Sequence, residues 1–323
     1  MSHGYLEREI TEPIALCLAS GGLNPEAVGF SRTPVHDSSA VGRSRFPRSR
    51  GRRWEYWALI TPTHIVALTA ASLDRGSRHQ LWTLDRASGT QLDRTVFSPL
   101  GGHVILPGSL GDGPVRAWSR DIDISIDEVP GGTRVRAQTA RVQLDAFISR
   151  PSGQESLGSV CPRGNDGFDY IVSDLARPVS GRLSIDGVSH VLPATESWAM
   201  LDHGRGRSGS HPGGCGAAAG VEAGRRVGLS LGEHSAYFLD GGLHRLAGGA
   251  AWSASDRAPW RVSGEALDLS FTPFASRRSR GNPGTVGSLT RQHFGHYTGW
   301  VSGEDGGRLG VTDLLGWAEL PGH

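Results

Sequence analysis

The chain has 323 residues, enough for two ordinary domains or one large β-rich one, and a formal net charge of only +1. That balance gives no overall field to recruit nucleic acid or an anionic membrane. All 33 basic residues are arginine, so a Walker-type phosphate loop and a pyridoxal phosphate Schiff base are both excluded, and no cofactor is expected.

At the N-terminus, Glu7, Arg8, Glu9 and Glu12 come before any apolar run, the wrong order for a secretory signal. No segment approaches the roughly 20 apolar residues of a membrane span. A cytoplasmic protein without stable membrane insertion is therefore expected. Asn24 to Gly29 has room for one helical turn. Ser31 to Arg53 is rich in Arg, Ser, Gly and Pro, and its cluster of Arg43, Arg45, Arg48, Arg50, Arg52 and Arg53 reads as a solvated loop. Next come Trp54, Tyr56, Ala58 and Ile60 on one face of a strand, with Trp57 and Leu59 on the other. Ile122, Ile124 and Ile126 alternate with Asp121, Asp123 and Ser125, and Leu267, Leu269 and Phe271 alternate with Asp268 and Ser270.

Between such runs lie hairpin signals: Ser88-Gly89, Pro130-Gly131-Gly132, Asp186-Gly187, Asp240-Gly241 and Asp305-Gly306. Asp-Gly accepts the positive φ angles of tight turns. Their recurrence predicts antiparallel sheets closing into barrels or sandwiches. Pro151 to Asp166, rich in Ser, Gly and Pro, is the expected joint, giving halves 1–160 and 161–323. Ala217 to Ala223 carries helix-friendly alanines hemmed in by glycines, and Ser276 to Gly287 reads as a further flexible region. Cys17, Cys161 and Cys215 are too scattered for a zinc ribbon or dithiol site, and no metal is expected.

Several motifs fail on context. Gly204-Arg205-Gly206-Arg207-Ser208-Gly209 satisfies the dinucleotide fingerprint, but Ser210-His211-Pro212-Gly213-Gly214 follows where a helix would have to begin. Gly228-Leu229-Ser230-Leu231-Gly232 matches a nucleophile elbow, yet Val227, Leu229 and Leu231 alternate like a plain strand. His293 and His296 are three apart on a predicted strand, which points them to opposite faces.

Leu201-Asp202-His203-Gly204-Arg205-Gly206-Arg207 is the strongest candidate, read as a glycine-rich turn that continues to Gly220. The strand Trp198 to Leu201 delivers a carboxyl and an imidazole into glycines that allow close backbone approach. Two readings stay open: Asp202 pairs with Arg205 to fix a bend, or Asp202 acts as an acid with His203 or an arginine steering a substrate.

With these pieces in order, the chain resembles the bacterial family catalogued as domain of unknown function 2804. The resemblance rests on Arg8-Glu9-Ile10-Thr11-Glu12-Pro13, Leu23-Asn24-Pro25, Arg53-Trp54-Glu55-Tyr56-Trp57, Leu201-Asp202 and Gly204-Arg205-Gly206. It continues through Phe271-Thr272-Pro273-Phe274, Gln292-His293-Phe294-Gly295-His296-Tyr297 and Gly316-Trp317-Ala318-Glu319. It implies a mostly β fold of two tandem antiparallel lipocalin-like (calycin-type) barrels or half-barrels with few short helices. Proteins of that build include carotenoid hydratases and tocopherol-cyclase-like proteins. The implied function is a binding module for an apolar small molecule, lipid or isoprenoid-like, in a barrel interior. The alternatives are a hydratase or cyclase-type enzyme with Asp202 as general acid, or a degenerate member without ligand. Asp202 and His203 are the expected catalytic residues; Arg205, Trp54, Tyr56, His293, His296, Tyr297 and Trp317 are the expected ligand contacts. Relatives carry aromatics after the Gly-Arg-Gly, where this chain reads Ser208 to Gly216, so a pocket lined by them is expected here to be wider, emptier or no longer used.

Overall fold

The computed structural model describes residues 8–41, 51–73, 76–99, 102–164, 167–207, 213–254, 259–279, 290–304 and 306–320. Arg43, Arg45, Arg48 and Arg50, the stretch 208–212, most of Ser276 to Gly287 and Asp305 lie outside the described residues. No helix among the described residues is long and apolar enough to cross a membrane.

The chain divides into two compact units, Met1–Ser208 and Gly209–His323. In the first, a small parallel pair, β1 (Ile14–Ala15) and β3 (His36–Asp37), flanks a single turn of 3-10 helix, Pro25–Ala27, and β2 (Gly29–Ser31). The main strands are β4 (Arg52–Ile60), β5 (His64–Leu73), β6 (Gly76–Asp85), β7 (Gln91–Ser98), β8 (Val104–Ile105), β9 (Val115–Trp118), β10 (Asp123–Val129), β11 (Gly132–Gln138) and β12 (Val142–Ser149). They are followed by β13 (Leu157–Arg163), β14 (Gly167–Ile185), β15 (Val188–Leu192) and β16 (Trp198–Gly206). Along the sheet the order is β7-β6-β5-β4-β16-β14-β12-β11-β10-β9-β8, with β13, β15 and β2 off this path.

The sheet curls because its two wings share one core. Trp57, Leu68 and Leu81 from β4 to β6 pack in the same buried cluster as Ala117, Ile124, Val135 and Leu144 from β9 to β12. The long strand β14 joins the wings. Its first half pairs with β13 and β16, and its second half with β12 and β15. A bulge between Leu175 and Arg177 separates the halves, with Ala176 at φ 58; such bulges bend a strand and re-aim its side chains. A second buried cluster, including Leu16, Val28, Val41, Val160, Phe168 and Tyr170, packs the N-terminal segment against β13 and β14.

The second unit is a sheet of β17 (Cys215–Glu222), β18 (Arg225–Leu231), β19 (Ala236–Leu239), β20 (Gly242–Arg245), β21 (Ala251–Ser253), β22 (Trp260–Gly264), β23 (Leu267–Ser279), β24 (Thr290–Ser302) and β25 (Arg308–Leu320). Its order is β20-β19-β18-β17-β25-β24-β23-β22-β21. Leu229, Tyr237, Trp260, Leu269, Phe271, Tyr297 and Leu314 fill its core. Both units are thus curled sheets, antiparallel as the hairpin signals predict and half-barrels in form as the family resemblance implies.

Three expectations differ from what is observed. The division lies at 208/209 and not near 160, because Leu157–Arg163 pairs along its whole length with Gly167–Ser173 and also with Gly29–Ser31. Ala217–Glu222 is strand: pairing with β18 and β25 overrides the helix preference of its alanines. Leu201–Gly206 is likewise strand and no turn, zipped between β4 and β14.

Candidate functional site

The register of β16 against β4 sorts the candidate residues onto two faces. Asp202 stands opposite Tyr56 and Gly204 opposite Trp54, while His203 stands opposite Glu55 and Arg205 opposite Arg53. Side chains alternate along a strand, so Asp202 and Gly204 share one face, and Leu201, His203 and Arg205 share the other. Asp202 and Arg205 are three apart on a strand and point away from each other. Neither the bend-fixing ion pair nor joint action of Asp202 with His203 matches this geometry.

On the first face, Trp54 Nε1 donates to Asp202 Oδ1 at 3.1 Å. Gly204 makes this possible. A Cβ at position 204 would lie 1.9 Å from Trp54 Cζ2 and 2.1 Å from Cε2, so the indole lies across β16 where another residue's side chain would stand. Gly206 is needed for a comparable reason, since a Cβ there would come within 2.6 Å of Asp169 Oδ1 and 2.7 Å of the Phe168 carbonyl oxygen. The glycines that mimic a nucleotide fingerprint therefore serve side-chain and backbone approach within a sheet. Asp202 is half-buried, Tyr56 beside it is buried, and Ser173 of β14 is its other cross-strand neighbour.

The opposite face belongs to the first unit's own core, where Trp57 and Leu201 lie. Above them sits a buried polar layer that the sequence reading did not assemble. His203 Nδ1 is 3.5 Å from Glu55 Oε2, and Trp57 Nε1 donates to Glu55 Oε1 at 3.1 Å. Arg205 donates from Nη1 to the carbonyl oxygens of Trp54 (3.0 Å) and Gly204 (2.9 Å), and from Nη2 to that of Pro107 (3.3 Å). Arg53 Nη2 also bonds to the Leu106 and Pro107 carbonyls. Tyr170 meets His203 edge-on with centroids 6.4 Å apart, and His36 packs on Tyr170 at 4.8 Å.

Burial governs the charges here. It pushes His203 down to about 4, with Arg205 adding to the effect and Glu55 opposing it. Arg205 is pushed down to about 9 by burial and then by Arg53, and still carries its charge at neutral pH. Burial would raise Glu55, but His203, Trp57 and Arg205 together outweigh it and hold the carboxyl below its ordinary range. Tyr170 is raised by burial. At neutral pH the layer therefore holds an ionised Glu55, a charged Arg205 and a neutral His203. Glu55 was missed because its strand stands out for its aromatics. The signal available was a lone acidic residue set among Trp54, Tyr56 and Trp57.

In the second unit, His293 and His296 point to opposite faces of β24. His293 packs edge-on against Trp260 at 4.6 Å, and His296 packs against exposed Phe274 at 5.4 Å. Tyr297 is fully buried, contacts Phe271 at 4.6 Å, and donates its hydroxyl to the Trp317 carbonyl at 2.7 Å. Ser230 lies in β18, and Asp240 is engaged by Arg225 at 2.7 Å and by the Arg226 amide, which leaves no support for a hydrolase triad. An open groove of about 340 Å³ lies elsewhere, on β10 to β12 and β14, and is lined by Asp123, Arg136, Gln143, Asp145 and Arg182. It is charged and solvated, unlike an apolar cavity.

The fold and candidate site define a protein of two antiparallel half-barrel sheets with one small parallel pair, an aromatic–carboxyl pair across β4 and β16 on one face of the first sheet, and a buried ionic layer behind it. The chain belongs to the family described as domain of unknown function DUF2804, whose model matches residues 7–321. No curated protein matches its sequence significantly. Among solved structures it is similar to a protein of Nitrosomonas europaea described as AttH. That match has a TM-score of 0.54 and 16% identity, and covers 84% of this chain and 92% of that one. It is also similar to kievitone hydratase from Nectria haematococca, with a TM-score of 0.55 and 10% identity, covering 90% and 93%. At such identities the likeness is one of fold.

Proposed function

We propose that the first unit binds an apolar, unsaturated small molecule against Trp54 and Tyr56, beside the carboxyl of Asp202. The observation that carries this reading is the Trp54 Nε1–Asp202 Oδ1 hydrogen bond across Gly204, which fixes a carboxyl at the edge of an aromatic face. An apolar surface with one convergent polar group is the usual composition of a small-molecule site. Native mass spectrometry of protein purified from its own host tests it, together with a panel of isoprenoids and fatty acids. Repeatedly empty protein with no affinity for the panel would leave a degenerate member of the fold.

The nearness of the Asp202 carboxyl to the rings of Trp54 and Tyr56, with likeness in fold to a hydratase, supports a second, catalytic reading, in which Asp202 acts in its protonated form. Asp202 gives a proton to one alkene carbon, and the aromatic faces of Trp54 and Tyr56 steady the resulting cation. Such contacts are worth about 2 kcal/mol when desolvated. Water then attacks the cation and returns a proton to Asp202, so that the net change is addition of water. In a cyclisation an internal nucleophile replaces the water. Asp202→Asn is expected to keep ligand binding and the melting temperature while abolishing turnover; a variant that merely unfolds assigns Asp202 to structure.

A further inference from the structure

We infer that Arg205 is a positioning residue for the Trp54–Asp202 pair, acting on it from the opposite face of the sheet. The inference rests on the reading that this pair is the site.

Arg205 is fully buried on the core side, three residues from Asp202, and has no route to a ligand lying against Trp54. Its guanidinium is spent on backbone. One nitrogen, Nη1, reaches the carbonyl oxygens of both Trp54 and Gly204. Those two residues are direct partners in the β4–β16 register, and they are the pair over which the indole crosses. The second terminal nitrogen, Nη2, ties both strands to the Pro107 carbonyl, which Arg53 grips as well. One planar cation thus pins both strands and the 106–107 segment at the point where Trp54 must lie flat for its N–H to reach Asp202.

A guanidinium suits this role because its donors diverge in a fixed plane, and it stays charged where an ammonium would lose its proton. Glu55 supplies the compensating charge, which makes a buried arginine tolerable there. Arg205 works through Trp54 in this scheme and touches no substrate.

The experiment needs no ligand. Protein labelled with ¹⁵N at tryptophan gives indole N–H resonances from nine tryptophans, and Trp54→Phe identifies that of Trp54. Asp202→Asn marks the position of this resonance with its carboxylate bond weakened. Arg205→Met is expected to move the Trp54 resonance upfield toward that position, whereas His203→Gln, a change on the same core face that does not touch the Trp54 carbonyl, leaves it in place. If Arg205→Met does not fold, Arg205→Lys carries the test, since one ammonium cannot span both strands and Pro107. A Trp54 resonance unmoved in a folded Arg205 variant overturns the proposal, and so does an equal movement in His203→Gln. An empty ligand screen would sink the binding reading and leave this result standing, so the two failures are distinguishable.

Discussion

Trp54 and Gly204 face each other across β4 and β16, and the indole occupies the space that a side chain at 204 would need. Gly204→Ala is therefore expected to expel the indole from its place and to cost about 1–3 kcal/mol, the usual penalty for overpacking. Urea unfolding measures the loss. An unchanged midpoint would mean that Trp54 has somewhere else to go.

Stability should fall with acid through His203. Its folded value, about 4, lies below the ordinary 6.5, so as pH drops the unfolded chain takes up the proton first. The contribution is present above about pH 6.5, shrinks toward pH 4, and amounts to about 3 kcal/mol across the window. Glu55, held low in the folded state, adds a loss of the same sign at still lower pH. Unfolding free energies of the wild type and His203→Gln, measured between pH 4 and 7, should diverge in slope; parallel curves would refute the assignment.

Arg177 is a second fully buried arginine, bonded to Asp174, Thr133 and the carbonyls of Ile148 and Ser149. Arg177→Met removes the closest cation from a buried carboxylate at the β14 bulge. The expected cost is about 3–5 kcal/mol, as for breaking other buried pairs. Arg134→Met, at an exposed pair with Asp145, should leave the unfolding midpoint nearly unchanged. Comparing the two in one denaturation series tests whether burial makes the difference.

In the second unit, Tyr297→Phe deletes one hydroxyl that donates to the Trp317 carbonyl inside the core. The ring contacts with Phe271 and Trp252 remain. A loss of about 1 kcal/mol is expected, seen as a modest fall in melting temperature. A fall several times larger would show that the hydroxyl holds more than this one bond.

Much of the fold was legible because it is written in short-range pattern. The alternation at Trp54 to Ile60 and at Leu267 to Phe271 matches β4 and β23, and Asp186-Gly187 and Asp240-Gly241 take up the positive φ angles of their turns. The candidate residues were legible singly and not in their grouping. Asp202, His203 and Arg205 look like one cluster when the segment is taken for a turn; once β4 and β14 pair on either side of it, a two-residue period splits them between faces. Glu55 joins His203 through a pairing between positions 148 apart, for which no local pattern gives a cue.

That separation has a kinetic consequence. β4 is neighboured on one side by β5, which is made directly after it, and on the other by β16, which is made last in the first unit. While the chain is being synthesised, β4 presents an open edge and an uncompensated Glu55 until residues 198–206 emerge. Closing so long a loop is entropically costly, and folds dominated by such pairings form slowly. The Trp54–Asp202 pair and the Arg205 clamp therefore come into being together, in the final step that seals the sheet, and a nascent chain stopped short of Trp198 would have the aromatic strand but nothing to lay it against.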